Sequence, residues 1–351
     1  MADPILPCEC IVRKIRQAIG SLRLNLHGAV VLTEAATGPF VATPVIAAMA
    51  GASRVYAMTR DSRYGTVADV RQQTLALAQV AGCADQVGIV TERTPEILGH
   101  ADIVTNSGHL RPIDREMISW MKPTAVIPLM YEAWEFRPGD LDLHACRDHG
   151  IPVAGTNERH PAIGVFDYLG MMVIKQLLWS RVEVCGSQVL LLCDNAFAPY
   201  IEGALARCGA AVLLDGVGEP KAWTDHAPFD AVVVAMRPRP QDLVGGEGAL
   251  VDVRALQQAC PCGPVVQFLG DIDRRALRAA GLSYHPQHAP GKGQMGGLLS
   301  ELGLAPVVRL QAGGLKVGEL MWRARREGDL HHAIEIVTRT GYGEGVVNSD
   351  G

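Results

Sequence analysis

The chemically richest loop of the chain extends from Ser283 to Gly296. It contains two histidines three positions apart, His285 and His288, and places Lys292 between two glycines. Histidine suits general acid–base chemistry because its free pKa lies near neutral pH. Lys292 could bind a phosphate or carboxylate, although its surroundings lack the G-x-x-x-x-G-K-[ST] spacing of a P-loop. We predict catalytic roles for His288 and Lys292; the alternative is a flexible loop with solvated histidines.

A pair of arginines follows a second apolar run, over residues 229–236. Arg237 and Arg239 alternate with prolines, which fix the backbone and exclude a helix. A guanidinium held on a stiff loop at the carboxyl end of a strand suits a substrate carboxylate. We therefore predict that Arg237 belongs to the catalytic site, and a solvated surface loop is the alternative.

A phosphate-binding turn is predicted between an apolar strand at 29–32 and an apolar helix at 41–50. Backbone N–H groups at such a turn, with the helix dipole behind them, favour a pyrophosphate. The turn contains one glycine and therefore departs from the G-x-G-x-x-G pattern. The residues predicted to contact a dinucleotide here are Thr33, Ala36, Thr37, Gly38, Pro39 and Phe40.

The loop after the next strand indicates which dinucleotide is bound. An acidic residue at this place usually accepts hydrogen bonds from an unphosphorylated ribose, whereas an arginine accommodates a 2′-phosphate. Here Arg60, Ser62 and Arg63 could clamp a phosphate. NADP is therefore the predicted cofactor, NAD remains possible, and a solvated charged loop is the alternative.

A further strand, within residues 101–108, ends in small polar residues. Because ligands bind outside the carboxyl ends of parallel strands, Thr105, Asn106, Ser107 and His109 are expected to face the same crevice as Thr37. We count Asn106 and Ser107 among the predicted cofactor contacts.

Composition excludes several function classes. The chain has 351 residues, 48% of them hydrophobic, and a net charge of −5. These values are typical of α/β proteins with two domains and argue against nucleic acid as a partner. The sequence has no apolar run of membrane-spanning length and no signal-peptide core, so a cytoplasmic location without membrane contact is expected.

The cysteines do not predict a metal site. Nine cysteines are scattered through the chain, and the pairs Cys8/Cys10 and Cys260/Cys262 lack C-x-x-C spacing. Reduced thiols and no bound metal are expected.

Strands alternate with helices throughout the chain, which predicts parallel sheets. A helix ending in Met121-Lys122-Pro123, then a strand, then a loop reaching Asp140-Leu141-Asp142 resembles the D-isomer-specific 2-hydroxyacid dehydrogenases. The resemblance implies a nucleotide-binding scaffold, a long helix linking two domains, and a general-acid histidine that corresponds to His288. An arginine and a glycine of that family are replaced by Tyr131, Glu132 and Glu135. The catalytic arginine therefore does not carry over, and Glu132 becomes the catalytic candidate at this position.

The predicted fold class is α/β, with two Rossmann-like parallel-sheet domains joined by a long linker helix. The expected limits are a dinucleotide-binding domain at 1–158, a linker helix at 159–182 whose helical run begins at Ala162, and a second Rossmann-like domain at 183–312. C-terminal helices, including one over 316–327, and a loose tail from Gly341 complete the chain at 313–351.

The second domain repeats the strand, turn and helix over residues 188–208, and Asp215 follows at the position of a ribose-binding acid. Its turn has no glycine before Gly203, and Asp194, Phe197 and Tyr200 crowd the phosphate position. Substrate binding is therefore predicted for this half. The cofactor is the alternative, because the resembling family binds its cofactor after the first linker helix.

Together these features predict an NAD(P)-dependent oxidoreductase. Its small-molecule substrate would be a carbonyl, an imine or a 2-hydroxy or 2-oxo acid, bound in a cleft between the domains, and the protein is expected to be a homodimer. One alternative is a lyase or hydrolase that retains its cofactor, as in adenosylhomocysteine hydrolase, which has a similar two-domain plan. Another is a non-catalytic Rossmann-type protein that binds a small molecule.

Overall fold

The chain forms two compact units in a computed structural model that describes residues 7–216, 223, 226, 228–328 and 330–346. The first unit contains the described residues up to Val165 and from Gly303 onward, and the second contains Phe166 to Leu302. This division differs from the expected limits at 158, 182 and 312, because the C-terminal helices pack on the first sheet.

Strands and helices are numbered in chain order. The strands are β1 (Val30–Glu34), β2 (Arg54–Met58), β3 (Val87–Val90), β4 (Ile103–Val104), β5 (Ile127–Pro128), β6 (Val153–Thr156), β7 (Gln188–Leu192), β8 (Ala211–Asp215), β9 (Ala231–Ala235), β10 (Val244–Gly245), β11 (Val251–Asp252), β12 (Val265–Leu269), β13 (Tyr284–His285) and β14 (Gly343–Gly345). The helices are α1 (Cys8–Leu22), α2 (Ala42–Met49), α3 (Val67–Ala81), α4 (Pro95–His100), α5 (Arg115–Trp120), α6 (Leu143–Asp148), α7 (Leu169–Trp179), α8 (Ala198–Arg207), α9 (Val253–Ala259), α10 (Arg274–Ala279), α11 (Leu304–Glu327) and α12 (Leu330–Thr340).

The first unit has the strand order of a Rossmann fold. Strands β3, β2, β1 and β4 pair in parallel in that order, β5 and β6 continue the row, and β14 pairs antiparallel with β6. Isolated bridges join Ile103 to Val126 and Asn106 to Leu129, between the two groups of strands. The resulting order 3-2-1-4-5-6 reverses direction between β1 and β4, where such sheets bind ligands.

Helix α11 returns the chain to this first sheet. A Cβ atom added at Gly313, Gly314 or Gly318 would lie within 3 Å of the side chain of Ile163, Met130 or Ile103, respectively. The helix begins at Leu304 and not at residue 316 as predicted, because its glycines allow close packing that offsets their poor helix propensity.

The second unit contains a fully parallel sheet in the order β13-β12-β9-β7-β8. This is the 2-1-3-4-5 order of doubly wound folds. Helix α7 begins at Leu169, later than the predicted start at Ala162. Gly164 interrupts the predicted helix because its φ of 58° is left-handed.

The prediction of a loose tail from Gly341 is wrong for β14. Gly343 pairs with Thr156 and Gly345 with Ala154. A Cβ atom at Gly343 would lie 2.1 Å from the carbonyl oxygen of Gly155, so glycine is what permits the pairing. Residues 347–351 of the predicted tail lie outside the described residues.

Gly155→Ala tests the close packing of β6 under the loop after β5. The new Cβ would lie 2.4 Å from the backbone nitrogen of Ala133, and we expect a loss of about 1–3 kcal/mol in the free energy of unfolding, measured by urea titration. Gly20→Ala in α1 is the control, because nothing lies within 4 Å of its Cβ position. That variant should gain about 0.5–1 kcal/mol. Equal stabilities of the two variants would contradict the described packing.

Candidate functional site

The turn after β1 carries backbone donors without protein acceptors. Within the described residues, the N–H groups of Ala36, Thr37 and Gly38 make no hydrogen bond. Gly38 has a φ of 67°, and no atom lies within 4 Å of its Cβ position. Pro39 and Phe40 continue as a short 3-10 helix that leads into α2. Successive free amides in front of a helix form a local anion site.

The side chain of Glu34 lies at the end of β1, but it is directed toward the loop after β4. Its Oε2 accepts a hydrogen bond from the backbone N–H of His109 at 3.1 Å. A Cβ atom at Gly108 would lie 2.4 Å from the same oxygen. Burial raises the pKa of Glu34, while the His109 amide and Arg111 oppose that shift. The pKa of His109 is lowered by burial and by the nearby charge of Arg60.

The ends of β1 and β4 are joined by hydroxyl groups. The Thr105 hydroxyl donates to Thr33 Oγ1 at 2.8 Å and lies 2.7 Å from the Ser107 hydroxyl. Asn106 donates to the Tyr131 hydroxyl at 3.0 Å and accepts from Arg111 Nε at 2.8 Å. The structure thus brings together the predicted residues Thr33, Asn106 and Ser107, all of them with protein partners.

The loop after β2 contacts the turn after β1, for which the sequence predicts phosphate binding. The Thr37 hydroxyl donates to the Tyr64 carbonyl at 2.9 Å. Arg60, Ser62 and Arg63 are exposed, and the Arg63 guanidinium stacks on the Tyr64 ring and donates to its hydroxyl.

Arg60 also lines a pocket of about 520 Å³. The wall of this pocket includes Arg93, Met58 and the ring of Trp120. It lies beyond the carboxyl ends of β2 and β3, and its lining combines the two arginines and an aromatic side chain with three acids, Glu92, Asp114 and Glu116.

Three glutamates cluster after β5 and β6. Glu132 accepts hydrogen bonds from Trp134 Nε1 at 2.6 Å and from the Glu158 amide at 3.2 Å, and Arg159 lies 3.4 Å away. Burial raises the pKa of Glu132, and burial together with Glu132 raises the pKa of Glu135 to about 7. Burial, Glu135 and Glu132 hold the pKa of Glu158 well above its usual range. This cluster can therefore hold protons near neutral pH.

The corresponding turn of the second unit is filled by its own side chains. The Asn195 side chain accepts from the Phe197 amide at 2.9 Å and donates to the Ala235 carbonyl at 2.7 Å. Phe197 is buried and contacts the Phe268 ring edge-on. Asp215 accepts from the indole of the buried Trp223 at 2.7 Å. The Phe197 amide and Asp215 thus have protein partners, whereas the N–H groups of Asp194, Asn195 and Ala196 make no hydrogen bond within the described residues.

The arginine and lysine candidates of the second unit lie on loops that contact each other. Asp194 accepts from the Arg237 amide at 2.8 Å, and Lys292 donates to the Pro240 carbonyl at 3.1 Å. The side chains of Arg237, Lys292 and His288 are exposed. They belong to the second unit, whereas Glu132 belongs to the first.

Four residues near the carboxyl ends of β4, β5 and β6 are missing from the site residues that the sequence predicts: Arg111, Tyr131, Glu135 and Glu158. Burial raises the pKa of Tyr131 to about 12. Glu135 and Glu158 each follow a strand closely, and the rule that selected Asn106 would also have selected them once β5 and β6 were placed in the same sheet.

The described part of the chain offers neither a metal centre nor a membrane span. No group of three His, Cys, Asp or Glu side chains there could hold a metal ion. No helix among those residues is long and apolar enough to cross a membrane.

The fold resembles solved structures at low sequence identity. A dipicolinate synthase chain from Bacillus halodurans has a TM-score of 0.55 at 11% identity, covering 82% of this chain and 96% of that one. Its Bacillus subtilis counterpart has a TM-score of 0.56 at 10% identity, covering 87% and 100%. The NAD⁺-bound 3-phosphoglycerate dehydrogenase of Entamoeba histolytica has a TM-score of 0.45 at 11% identity, covering 86% and 97%.

Neither the protein-family models nor the curated proteins include a match to this sequence. At such identities the structural likeness concerns the fold alone. It confirms the predicted α/β class, with two Rossmann-like parallel-sheet domains, and it confirms the predicted resemblance to two-domain Rossmann proteins at the level of fold.

Proposed function

We propose that the protein is an NAD(P)-dependent oxidoreductase whose dinucleotide binds the first unit. The observation that carries the proposal is the free amides of Ala36, Thr37 and Gly38 at the first turn of a 3-2-1-4-5-6 sheet. The open space at Gly38 leaves room for a pyrophosphate beside these donors. The filled turn after β7 supports assigning the second unit to the substrate.

NADP is the proposed dinucleotide. Arg60 and Arg63 are exposed on the loop after β2, where a 2′-phosphate would lie. The contact between Thr37 and Tyr64 holds this loop beside the turn. A phosphate bound by two guanidinium groups gains charge-assisted hydrogen bonds that NAD cannot make.

The proposed substrate is a small carbonyl, imine or 2-hydroxy/2-oxo acid. A bound nicotinamide would donate or accept the hydride. Arg237 and Lys292, on loops that contact each other, would bind the substrate carboxylate through charge-assisted hydrogen bonds. His288 would exchange the proton at the substrate oxygen or nitrogen.

Glu132 is the group of the first unit that we propose as a proton carrier. Its carboxyl group is fixed by the Trp134 indole and the Glu158 amide. Burial raises its pKa, so the neutral acid persists to higher pH than in an exposed glutamate.

Nucleotide binding tests the cofactor assignment. NADP should raise the melting temperature of the full chain more than NAD does, since ligand binding stabilises the native state. Arg60→Ala and Arg63→Ala should each weaken NADP binding about tenfold, through loss of one charge-assisted contact. NAD affinity should change less than about twofold, and Arg147→Ala on the exposed surface of α6 is the control. No stabilisation by either nucleotide would refute the proposed function, and equal losses for NADP and NAD would refute the ribose assignment.

Turnover tests the proposed proton donor. With NADPH and a panel of 2-oxo acids, followed by reduced-nicotinamide absorbance, His288→Ala should lower kcat by about 10²–10⁴-fold. Its NADP affinity should equal that of the wild type, because His288 belongs to the other unit. An H288A variant with full activity would remove His288 from the mechanism, and Glu132→Gln then tests the remaining candidate.

The buried glutamates predict a stability that falls as pH rises. The pKa of Glu135 is raised from 4.5 to about 7 by burial and by Glu132. Its protonated form therefore contributes stability fully below about pH 4.5, and that contribution is lost as pH rises through about 7. Between about pH 5 and 8, the free energy of unfolding of the wild type should fall by about 1–3 kcal/mol more than that of Glu135→Gln, measured by urea unfolding. The exposed Glu96→Gln should keep the wild-type profile. Parallel profiles for the wild type and E135Q would show that Glu135 does not titrate in this way.

A further inference from the structure

A second pocket of the first unit, of about 990 Å³, shares only Asp114 with the pocket of Arg60 and none of its lining with the turn after β1. The loops after β4 and β5 form its wall together with β14. Trp134 is 48% exposed and presents its ring to this pocket beside Phe136 and Leu143. The volume lies in the range of pockets that bind small organic molecules.

Three carboxylates line the pocket, those of Asp114, Asp142 and Glu344, and no lysine or arginine does so among the described residues. His144 also belongs to the lining, and Arg115 lies 3.7 Å from Asp142. Asp114 and Asp142 cap helices α5 and α6 by accepting from backbone amides at 2.9 and 2.8 Å. Glu344 is exposed and forms no ion pair within the described part of the chain. Its carboxylate is therefore available to a ligand.

Further carboxyl groups lie behind the aromatic wall. The Trp134 indole N–H donates to Glu132, which places a carboxyl group at the ring edge. Glu344 is close enough to Glu132 to raise its pKa. An aromatic face beside a carboxylate such as that of Glu344 attracts a cation, because the ring quadrupole and the carboxylate act in the same direction. The same field opposes carboxylates and phosphates.

We propose that this pocket binds a small organic ammonium ion with an apolar body, its charge between the Trp134 ring and the Glu344 carboxylate and its apolar part against Phe136 and Leu143. The occupant differs in charge from the anionic dinucleotide and 2-oxo acids of the proposed function. The site is therefore an additional one, and it does not depend on that function.

Three probes with the same phenethyl body separate charge from apolar contact: phenethylamine as its ammonium ion, phenethyl alcohol and phenylpropionate. Calorimetric titration of the full chain should show affinity decreasing in that order, with phenylpropionate the weakest. Equal binding of the ammonium and the alcohol would overturn the proposal, as would absence of ammonium binding. Stronger binding of the carboxylate would also overturn it.

Variants locate the site. Trp134→Leu should weaken ammonium binding about tenfold, which corresponds to the upper range of cation–π contacts. Glu344→Gln should weaken ammonium binding about threefold or more without changing alcohol binding. Because Glu344 is exposed, the substitution should not disturb folding, so a weaker affinity would report the lost charge. Trp179→Leu is the matched control, because Trp179 is 51% exposed and lies in the second unit. Wild-type ammonium affinity in both W134L and E344Q would refute the site.

NADP titration of the same variants distinguishes this inference from the proposed function. W134L and E344Q should bind NADP as the wild type does, because neither residue lines the turn after β1 or the pocket of Arg60. Loss of ammonium binding with unchanged NADP binding supports two separate sites. Ammonium binding in a protein that binds no nucleotide would retain this inference and reject the proposed function. Joint loss of both ligands in either variant would contradict a separate site.

Discussion

The structure of the first unit depends on one constraint: parallel strands end at the same edge of their sheet, and the buried polar side chains that follow β1 and β4 are paired there, whereas the Thr59 hydroxyl after β2 has no partner among the described residues. Thr33, Thr105 and Ser107 satisfy this requirement through a buried hydroxyl chain. Asn106 does so by bonding to Tyr131 and Arg111. Since an unpaired buried polar atom costs about 1–3 kcal/mol, each partner fixes its neighbour. The edge is therefore ordered before any ligand binds.

The two units share a strand–turn–helix arrangement, but the side chains at the turns after β1 and β7 differ. After β1 the side chains are small or directed away, and the backbone amides of Ala36 to Gly38 stay free. After β7 the Asn195 side chain accepts a hydrogen bond from the Phe197 amide, and the Phe197 ring is buried in the core. The N–H groups of Asp194, Asn195 and Ala196 after β7 also make no hydrogen bond within the described residues, so free amides are common to both turns. The turns differ in the open space at Gly38 after β1 and in the Asn195 and Phe197 side chains after β7.

Local signals explain which elements the sequence could predict. Helix α3 has such signals, because Thr66 and Asp69 form a capping box and Gly82 ends the helix with a φ of 74°. The first half of α11 could not be predicted from local signals. Gly314 is a poor helix former, and it is needed there because a larger residue would clash with Met130, which is far away in sequence. The candidate site divides in the same way. The position of Asn106 and Ser107 after a strand was enough to select them from the sequence, whereas Trp223 could be recognised as the partner of Asp215 only in the folded structure.

Charge is distributed unevenly along the polar edge of the first unit. Arg60 and Arg63 follow β2, whereas Glu132, Glu135 and Glu158 follow β5 and β6. Under the proposed function, the phosphates would lie toward the arginines and the nicotinamide toward the acids. An oxidised nicotinamide ring is cationic, so ionised glutamates would stabilise it relative to the neutral reduced ring. Because burial delays that ionisation to higher pH, the preference for the oxidised cofactor should strengthen as pH rises through the pKa of Glu135, at about 7.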